Sequence, residues 1–441
     1  METKANEKIF IGGGKSEVLL DEATNSISVA GVNVVTSQPG VGDILCRDES
    51  GGYRFIRLDT FQGGTFPSAW ETLGVVVWRK GNQVKVVSKH NEQRKWMDVY
   101  PYVVTGYELD STEHTAQLRL HGRPSTETFY EFRYTAGTVD EFVTALQQFL
   151  SENGETDWSA YKDDKERVIL QYDNYTSAEV YRVNKTYASG LTLTACVGID
   201  CPQQPSFVRK CGTLGYGIFN TELAKEYFKS DLSTEQYNPS EEVSSVPAYP
   251  ICWPAFAGTS QYRDGDKCLW LRQRYCKDPE QPKVEEWEAY IDELRIRNPY
   301  MLAGNAPKWR DGAVLSASLK GKTYRATDGT QKPLYPAVEF CSQFLDGKGY
   351  LPSIAELAEC LANVTYGLTG VTRENADPIN RSLYAIGGSR IRIKSTYRSS
   401  GRCYEGGAWS TIGFGTIDNN DFYYVQNCSP FALLELPAGV D

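Results

Sequence analysis

Residues 321–441 constrain the fold of this chain more than any other part of its sequence. They begin with two short amphipathic helices, predicted at Leu334–Leu345 and Ile354–Leu361, and continue with a long stretch that has no helical period. That stretch is crowded with Gly, Ser, Thr, Asn, Tyr and Trp. Such residues combine rigid contact area with adaptable hydrogen bonding at recognition surfaces. The sequence therefore predicts a binding protein that displays this surface at its C-terminal end.

The rest of the chain divides by pattern into three further ranges. Residues 1–110 carry regular short strands with Gly-rich turns, which predict a β-rich barrel or sandwich. Residues 111–200 read as a ββαβββ domain of the α+β class. Residues 201–320 form an irregular connecting region with helices, one of them predicted at Val284–Ile296. We therefore expect a multidomain α+β protein with β-rich N-terminal domains.

Two local signals in these ranges are well marked. Gly74–Trp78 and Val84–Val87 flank a Gly81-Asn82 turn, a pattern typical of a β-hairpin. Thr138 and Glu141 form a capping box ahead of an apolar helix face.

The C-terminal range carries the same kind of local signal. Ser353 and Glu356 form a capping box at the start of the second helix. The later part of the range is predicted to form short strands at Leu383–Ile386, Arg390–Lys394, Ala408–Ser410, Phe422–Gln426 and Ala432–Leu436.

Charge and hydropathy exclude several partner classes. The formal net charge is −10, which argues against nucleic acid or an anionic membrane as a partner. The basic run Arg390–Lys394 is interpreted as a strand with alternate side chains exposed. No stretch approaches the length of a transmembrane helix, so membrane insertion is not expected. The first residues have no apolar signal-peptide core, so we expect synthesis and folding in a cytoplasm.

Known catalytic motifs are absent from the sequence. The run Gly12–Ser16 resembles a phosphate loop but lacks the earlier glycine, since Ile9 stands in its place, and is better explained as a turn. The three His residues all lie in the N-terminal half, and the 11 Cys show no zinc-ligand spacing. We therefore expect no enzyme activity, no cofactor and no metal.

The C-terminal motifs resemble a known family. Leu351, Pro352, Ser353, Glu356 and Leu357 match the Leu-Pro-Ser-x-x-Glu-Leu helix start of retroelement-diversified variable proteins, which have a C-type-lectin-like fold and are common in phages of gut bacteria. Ser395-Thr396, Ala408-Trp409 and Tyr423–Val425 match the family's later Ser-Thr, Trp and aromatic-strand elements. The resemblance covers about a quarter of the chain, the size of one domain. It implies a C-type-lectin-like ligand-binding domain over residues 321–441.

The resemblance also implies where a ligand would bind. In the family, diversification rewrites adenines, so that Lys, Glu, Gln, Met and Trp do not arise at the varied positions, and Ser410–Tyr424 contains none of these five. Elements for calcium-dependent sugar binding are missing. The expected surface lies on the loops of residues 395–428. Its candidate ligand-binding residues are Tyr397, Arg398, Tyr404, Trp409, Thr411, Phe414, Thr416, Ile417, Asp418, Asn419, Asn420, Phe422 and Tyr423.

Three functions are consistent with these sequence features. The first is a receptor-binding or tail-tip protein of a phage virion, made in the host cytoplasm. It would bind a host cell-surface protein or glycan, contact other tail proteins and form a homo-oligomer, with a trimer as the usual arrangement of fibre tips. The second is a bacterial surface adhesin of the same fold. The third is an enzyme related to the formylglycine-generating enzymes, which would use Cys403 and Cys428 as an active-site pair.

Overall fold

The structure is a computed structural model, and it describes most of the chain outside residues 219–311. The described residues are 7–10, 17–21, 26–29, 32–36, 39–62, 67–120, 129–175, 186–200, 208–210, 216–218, 277, 281, 283–289, 312–404, 407–412, 416–422 and 425–436. They form a mixed structure of helices and strands in which several small, mostly antiparallel sheets dominate. The predicted α+β class is therefore confirmed at this level.

The elements are numbered in chain order. The strands are β1 (Glu7–Phe10), β2 (Glu17–Asp21), β3 (Ser26–Val29), β4 (Val32–Thr36), β5 (Ile44–Arg47), β6 (Tyr53–Ile56), β7 (Glu71–Lys80), β8 (Gln83–Ser88), β9 (Glu92–Arg94), β10 (Tyr100–Thr105), β11 (Asp110–Arg119), β12 (Tyr130–Ala136), β13 (Trp158–Lys162), β14 (Val168–Tyr172), β15 (Tyr187–Ser189), β16 (Thr192–Ala195), β17 (Val208–Lys210), β18 (Tyr216–Ile218), β19 (Thr323–Arg325), β20 (Gln331–Pro333), β21 (Tyr397–Tyr404), β22 (Gly407–Ile412), β23 (Thr416–Asp421), β24 (Gln426–Cys428) and β25 (Phe431–Glu435). The helices are α1 (Leu58–Gln62), α2 (Val139–Glu152), α3 (Cys196–Asp200), α4 (Gly312–Leu319), α5 (Pro336–Ser342), α6 (Phe344–Gly347), α7 (Ile354–Ala362) and α8 (Pro378–Ala385).

Strands β1–β4 form an antiparallel meander at the N-terminus, in which each strand pairs with the next. Phe10 of β1 lies opposite Glu17 of β2. The run Gly12–Ser16, which the sequence predicts to be a turn, lies outside the described residues.

The first five-stranded sheet joins the two ends of the described chain. Its order is β25-β8-β7-β5-β6. The predicted hairpin between β7 and β8 is confirmed, since Lys80 pairs with Gln83 across a two-residue turn and Gly81 has a φ of +56°. The last strand, β25, pairs antiparallel with β8, and Phe431 lies opposite Val87.

This sheet is covered on both faces, because neighbouring residues of a strand point to opposite sides. On one side, Leu45 belongs to a buried cluster with Leu345, next to helix α6. On the other, Ile44 packs in a cluster with Phe61 and Ile386, next to α1 and α8. The sheet is therefore a central layer between C-terminal and N-terminal helices.

The second five-stranded sheet also mixes distant parts of the chain. Its order is β23-β22-β21-β24-β9. Strand β9 pairs antiparallel with β24, with Glu92 opposite Cys428, and Tyr397 of β21 makes a parallel pair with Asn427. Both sheets thus combine strands from residues 44–94 with strands from residues 397–435. The predicted boundaries at residues 110 and 321 do not separate these sheets.

The middle of the chain forms a two-sheet layer packed on one helix. The sheet orders are β13-β14-β10-β16 and β12-β11-β15. Helix α2 begins as predicted, because the Thr138 hydroxyl accepts a hydrogen bond from the N–H of Glu141 at 3.2 Å. Strand β13 was not predicted, and one strand of the predicted ββαβββ pattern, at Glu179–Val183, lies outside the described residues. One buried cluster runs from Phe142 of α2 to Val338 of α5, so the core continues into the C-terminal range.

The two C-terminal helices form close to their predicted positions. The first, predicted at Leu334–Leu345, is observed as α5 and α6. Pro336 occupies the first turn of α5, where its fixed φ suits a helix start. The segment cannot continue as one helix because Leu345 and Asp346 have φ values of +50° and +56°. The second is confirmed as α7 with its complete Ser353–Glu356 capping box.

Two predicted strands are wrong. Leu383–Ile386 belongs largely to helix α8, whose N-cap Asp377 accepts a hydrogen bond from the N–H of Asn380 and whose first residue is Pro378. Arg390–Lys394 forms no strand. Its alternation is nevertheless real, since Ile391 and Ile393 are buried and the three basic residues are exposed or half-buried.

The helix predicted at Val284–Ile296 is described only over residues 284–289, which are helical. Among the described residues, no helix is long and apolar enough to cross a membrane.

Candidate ligand-binding surface

The residues predicted to bind a ligand fall mostly in three consecutive strands. Tyr397, Arg398 and Tyr404 lie in β21, Trp409 and Thr411 lie in β22, and Thr416 to Asn420 lie in β23. Phe422 follows β23 directly. Phe414 and Tyr423 lie outside the described residues.

The backbone register brings these positions together as a hairpin. In β22 and β23, Thr411 lies opposite Ile417, Trp409 opposite Asn419, and Ser410 opposite Asp418. On the other side of β22, Tyr397 pairs with Thr411 and Arg398 pairs with Ser410. Positions that are up to 14 residues apart in sequence are therefore neighbours in one sheet.

Strand β23 is the last strand in the order of this sheet within the described part of the chain. Its sequence, Thr-Ile-Asp-Asn-Asn-Asp, is unusually polar for a strand. Charged and polar residues on an outer strand also prevent edge-to-edge aggregation, so this composition alone does not imply a ligand. Because β23 pairs with the strand that carries Trp409 and Thr411, the β22–β23 hairpin is the part of the predicted surface in which contact positions of two strands lie side by side.

Three of the predicted contact residues are instead part of the core. Tyr397, Arg398 and Phe422 expose at most 2% of their surface. The Tyr397 hydroxyl accepts a hydrogen bond from the N–H of Arg392 at 2.8 Å, and burial raises the pKa of this phenol to about 12. A residue buried in this way cannot touch a ligand at the surface. These side chains pack in the core next to the hairpin.

The sequence patterns did not indicate the role of Trp96, which packs against the buried residues that form the base of the hairpin. Its ring stacks on Phe422 with centroids 4.6 Å apart, and its indole N–H donates to the carbonyl oxygen of Ser399 at 3.1 Å. The backbone N–H of Trp96 also donates to the Phe422 carbonyl oxygen at 2.9 Å. No local pattern around Trp96 could have indicated this role, since its partners are about 300 residues away. The base of the hairpin is thus fixed by both packing and hydrogen bonds.

The helix motif shared with the variable proteins lies against the same strands. Pro352 accepts a backbone hydrogen bond from Ser400 of β21 at 2.9 Å. Glu356 of the capping box is buried and accepts hydrogen bonds from the Ser353 N–H at 2.7 Å and from the Gly312 N–H at 3.1 Å. The motif therefore ties helices α4 and α7 to strand β21.

The chemistry proposed for Cys428 in the enzyme alternative is opposed by its surroundings. Cys428 is completely buried and is a free thiol, and burial raises its pKa to about 12. A cysteine reacts as the thiolate, which a raised pKa disfavours. The side chain of Cys403 is not described. Cys428 thus has the environment of a structural cysteine.

One side-chain cluster has donors of the kind that bind metals. Glu108, Asp110 and His114 place one ligand atom each within 4.8 Å of one another. The His114 Nε2 atom lies 2.8 Å from Asp110 Oδ1, and hydrogen bonds from Thr112 and His114 hold the pKa of Asp110 at about 2. The two carboxylates are exposed, and a closed structural zinc site needs four ligands. This cluster lies on β11 and the loop before it, in a sheet separate from the β22–β23 hairpin.

A cavity of about 450 Å³ lies between residues 284–288 and the loop that joins α7 to α8. Trp287, Asn363, Thr365 and Asp377 are among its lining residues. Asp377 already accepts hydrogen bonds from the N–H groups of Thr365 and Tyr366 and caps helix α8. Its carboxylate is thus engaged in holding the loop.

Comparison with protein-family models, with curated proteins and with solved structures finds no match to this chain. Its function has to be argued from its own residues.

Proposed function

We propose that this protein is a receptor-binding protein at the tail tip of a bacteriophage virion. Residues 321–441 would be its C-type-lectin-like domain and would bind a host cell-surface protein or glycan. The observation that carries this proposal is the β22–β23 hairpin. It gathers the predicted contact positions from Trp409 to Asn420 in one outer pair of strands on a fixed base.

A fixed base next to the hairpin strands is a good physical arrangement for a binding surface. The backbone groups of the two strands pair with each other, so the fold does not depend on every side chain of the hairpin. Binding costs less entropy when the surface is held in place beforehand. Trp96, Arg398 and Phe422 supply that support from the core. The hairpin could therefore change its side chains, and hence its ligand, without losing its fold.

The family resemblance supports the same conclusion. The Leu351–Leu357 motif builds a buried, capped helix start that is hydrogen-bonded to β21, the strand next to the hairpin. In this proposal the β1–β4 meander and the sheets of residues 100–195 attach or space the binding domain, contact other tail proteins and take part in a homo-oligomer. The buried Cys428 argues against the enzyme alternative.

A cell-binding experiment tests the proposal. The full chain is labelled with a fluorophore and incubated with a panel of cultured gut-bacterial strains, and bound protein is measured by flow cytometry. We expect saturable binding to particular strains. The double substitution Thr411→Ala and Asn419→Ala should weaken that binding by about tenfold or more, as hot-spot residues do.

The matched control is Thr115→Ala with Gln117→Ala, because these two residues are exposed on another antiparallel strand. The control should bind as the original protein does. Equal binding by both double variants would contradict the hairpin as the contact surface. A chain that binds no strain at all would contradict the receptor-binding function.

Diversification of the hairpin is a separate part of the proposal. Deep amplicon sequencing of the 3′ end of the gene across its source population would measure it. We expect substitutions at adenine positions in the codons of β22 and β23, with Trp96, Arg398 and Phe422 unchanged. A uniform 3′ end would contradict diversification, and the protein would then be a binder of fixed specificity.

A further inference from the structure

A basic patch lies on the segment that follows helix α8. We define it as Arg390, Arg392 and the ring of Tyr366. The guanidinium carbons of Arg390 and Arg392 lie 5.3 and 5.8 Å from the ring centroid of Tyr366. Arg390 also donates from Nη1 to the Tyr366 hydroxyl at 3.0 Å. Both guanidiniums therefore contact the same aromatic side chain.

The backbone beneath the patch is rigidly held. The Asn380 side chain accepts from the N–H of Ile391 at 2.8 Å and donates to the carbonyl oxygen of Ile391 at 2.9 Å. The N–H of Ile393 donates to the Tyr366 carbonyl oxygen at 3.0 Å. Ile391 and Ile393 are buried, which points the alternate basic residues outwards. The two guanidiniums are thus presented on a fixed support.

Within the described part of the chain, Arg390 and Arg392 form no ion pair. Arg47, Arg54, Arg94, Arg133 and Arg167 each have a carboxylate partner there. Asp377, the acidic residue built into the Tyr366 loop, is buried, and its oxygens accept from Thr365, Tyr366 and Asn380. Among the described residues, the patch therefore presents two guanidiniums without a carboxylate partner, in a chain whose formal net charge is −10.

We propose that the basic patch binds a carboxylated glycan. Guanidinium groups bind carboxylates through paired, charge-assisted hydrogen bonds, and two of them held by one tyrosine suit charges that repeat along a sugar chain. This site goes beyond the proposed function, because it uses residues 366–392 and not the β22–β23 hairpin. It can be present whether or not the hairpin binds a receptor.

Other polyanions fit the patch less well. Duplex DNA carries a dense row of phosphates and demands an extended basic face, which a strongly acidic chain does not favour. Single-stranded nucleic acid needs free aromatic faces for stacking, whereas two guanidiniums already occupy Tyr366. An acidic peptide could not pair with the backbone here, because Asn380 and Tyr366 already bind the backbone groups of Ile391 and Ile393, so it would have only the two guanidiniums to bind.

Calorimetry with defined probes tests the assignment. The full chain is titrated with an oligogalacturonate and, as the matched neutral probe, with its methyl ester. We expect binding of the acid that weakens with added salt, and no binding of the ester. Arg390→Gln with Arg392→Gln should weaken binding by at least about tenfold, since each charge-assisted hydrogen bond is worth more than a neutral one.

Two variants control this titration. Arg133→Gln with Lys165→Gln removes the same charge from exposed positions elsewhere and should leave binding intact. Arg392→Gln alone changes one exposed side chain and still tests the site if the double variant does not fold. The hairpin variant Thr411→Ala with Asn419→Ala should bind the acid normally, which separates this site from the proposed receptor surface.

Several outcomes would overturn the inference. They are no binding of the oligogalacturonate, equal binding of its methyl ester, and unchanged binding by the arginine variants. A sulfated oligosaccharide that binds in the same arginine-dependent way would extend the ligand class to sulfate. Tighter arginine-dependent binding of polyglutamate or of duplex DNA would replace the glycan with that partner.

Discussion

At the scale of single residues, Glu356 connects parts of the chain that are far apart in sequence. It is buried, and its oxygens accept from the Lys85 ammonium group and the Tyr350 hydroxyl, both at 2.9 Å, and from the N–H groups of Gly312 and Ser353. The capping box predicted from sequence accounts only for the Ser353 contact. The contacts with Lys85 and Gly312 depend on long-range folding, which no local pattern reports.

Replacing this carboxylate should be costly. Glu356→Ala leaves the Lys85 ammonium and two buried N–H groups without their partner, and we expect a loss of about 3–5 kcal/mol in the free energy of unfolding. Chemical denaturation followed by circular dichroism measures it. The control Glu152→Ala changes an exposed glutamate in the last turn of α2 and should cost less than about 0.5 kcal/mol. A similar loss in both variants would contradict the role given to Glu356.

The buried cysteines give a prediction with a defined pH dependence. Burial raises the pKa of Cys46, Cys196 and Cys428 to about 12, and it also raises the pKa of Cys341. The folded chain therefore keeps thiol protons that the unfolded chain releases above about pH 9. Their contribution to stability is complete below about pH 9 and falls as the pH rises towards 12.

Alkylation of thiols tests this protection. Iodoacetamide should leave these four cysteines unlabelled in native protein at about pH 8 and at about pH 9, while urea-unfolded protein labels faster at the higher pH. Peptide mass spectrometry reads each site separately. Rapid labelling of Cys428 in the native protein would contradict its burial and favour the enzyme alternative.

At the scale of elements, sequence reasoning succeeded where the signal is local. The β7–β8 turn and the caps of α2 and α7 follow from residues a few positions apart. It failed at Leu383–Ile386, where a short apolar run looked like a strand although Asp377 and Pro378 mark a helix start. In the candidate site, it predicted a strand within β22 but assigned β21 and β23 to loops, and it could not recognise Tyr397, Arg398 and Phe422 as buried residues.

The stacking of Trp96 on Phe422 supports the hairpin. Phe422→Ala would remove a stacked, fully buried ring, and we expect a loss of about 3–5 kcal/mol in the free energy of unfolding. The matched control is Phe129→Ala, since Phe129 is 50% exposed. It should cost less than about 1 kcal/mol. Thermal denaturation compares the two, and equal losses would mean that Phe422 is not a core residue.

At the scale of the whole molecule, the closing strands join the two ends of the described chain. Strand β25 pairs with β8 and β24 pairs with β9, so each five-stranded sheet needs residues from both ends. Domain ranges drawn from composition could not reveal this, because strand pairing over more than 300 residues leaves no periodic signal. The Cβ that any other residue would add at Gly42 would lie 2.6 Å from Cβ of Pro378, a further close contact between the ends.

Removing the closing strands should therefore affect residues far from the cut. We expect a chain that ends at residue 425 to lose protection of the β8 amides in hydrogen exchange, because β8 would become an unpaired sheet edge and buried Phe431 would be lost. A chain that ends at residue 436 keeps both strands and is the control. Undiminished β8 protection in the shorter chain would show that the N-terminal strands form an independent unit.

The most direct test of the central claim is a mutational scan of residues 395–428 in the displayed full chain, with two readouts. Protease resistance reports folding, and capture by a bound bacterial strain reports ligand binding. We predict that substitutions of Tyr397, Arg398 and Phe422 impair folding. Substitutions of Thr411, Asp418 and Asn419 should leave folding intact but impair binding. Binding that is indifferent to every substitution in β22 and β23, or that is lost only when folding is lost, would contradict the account.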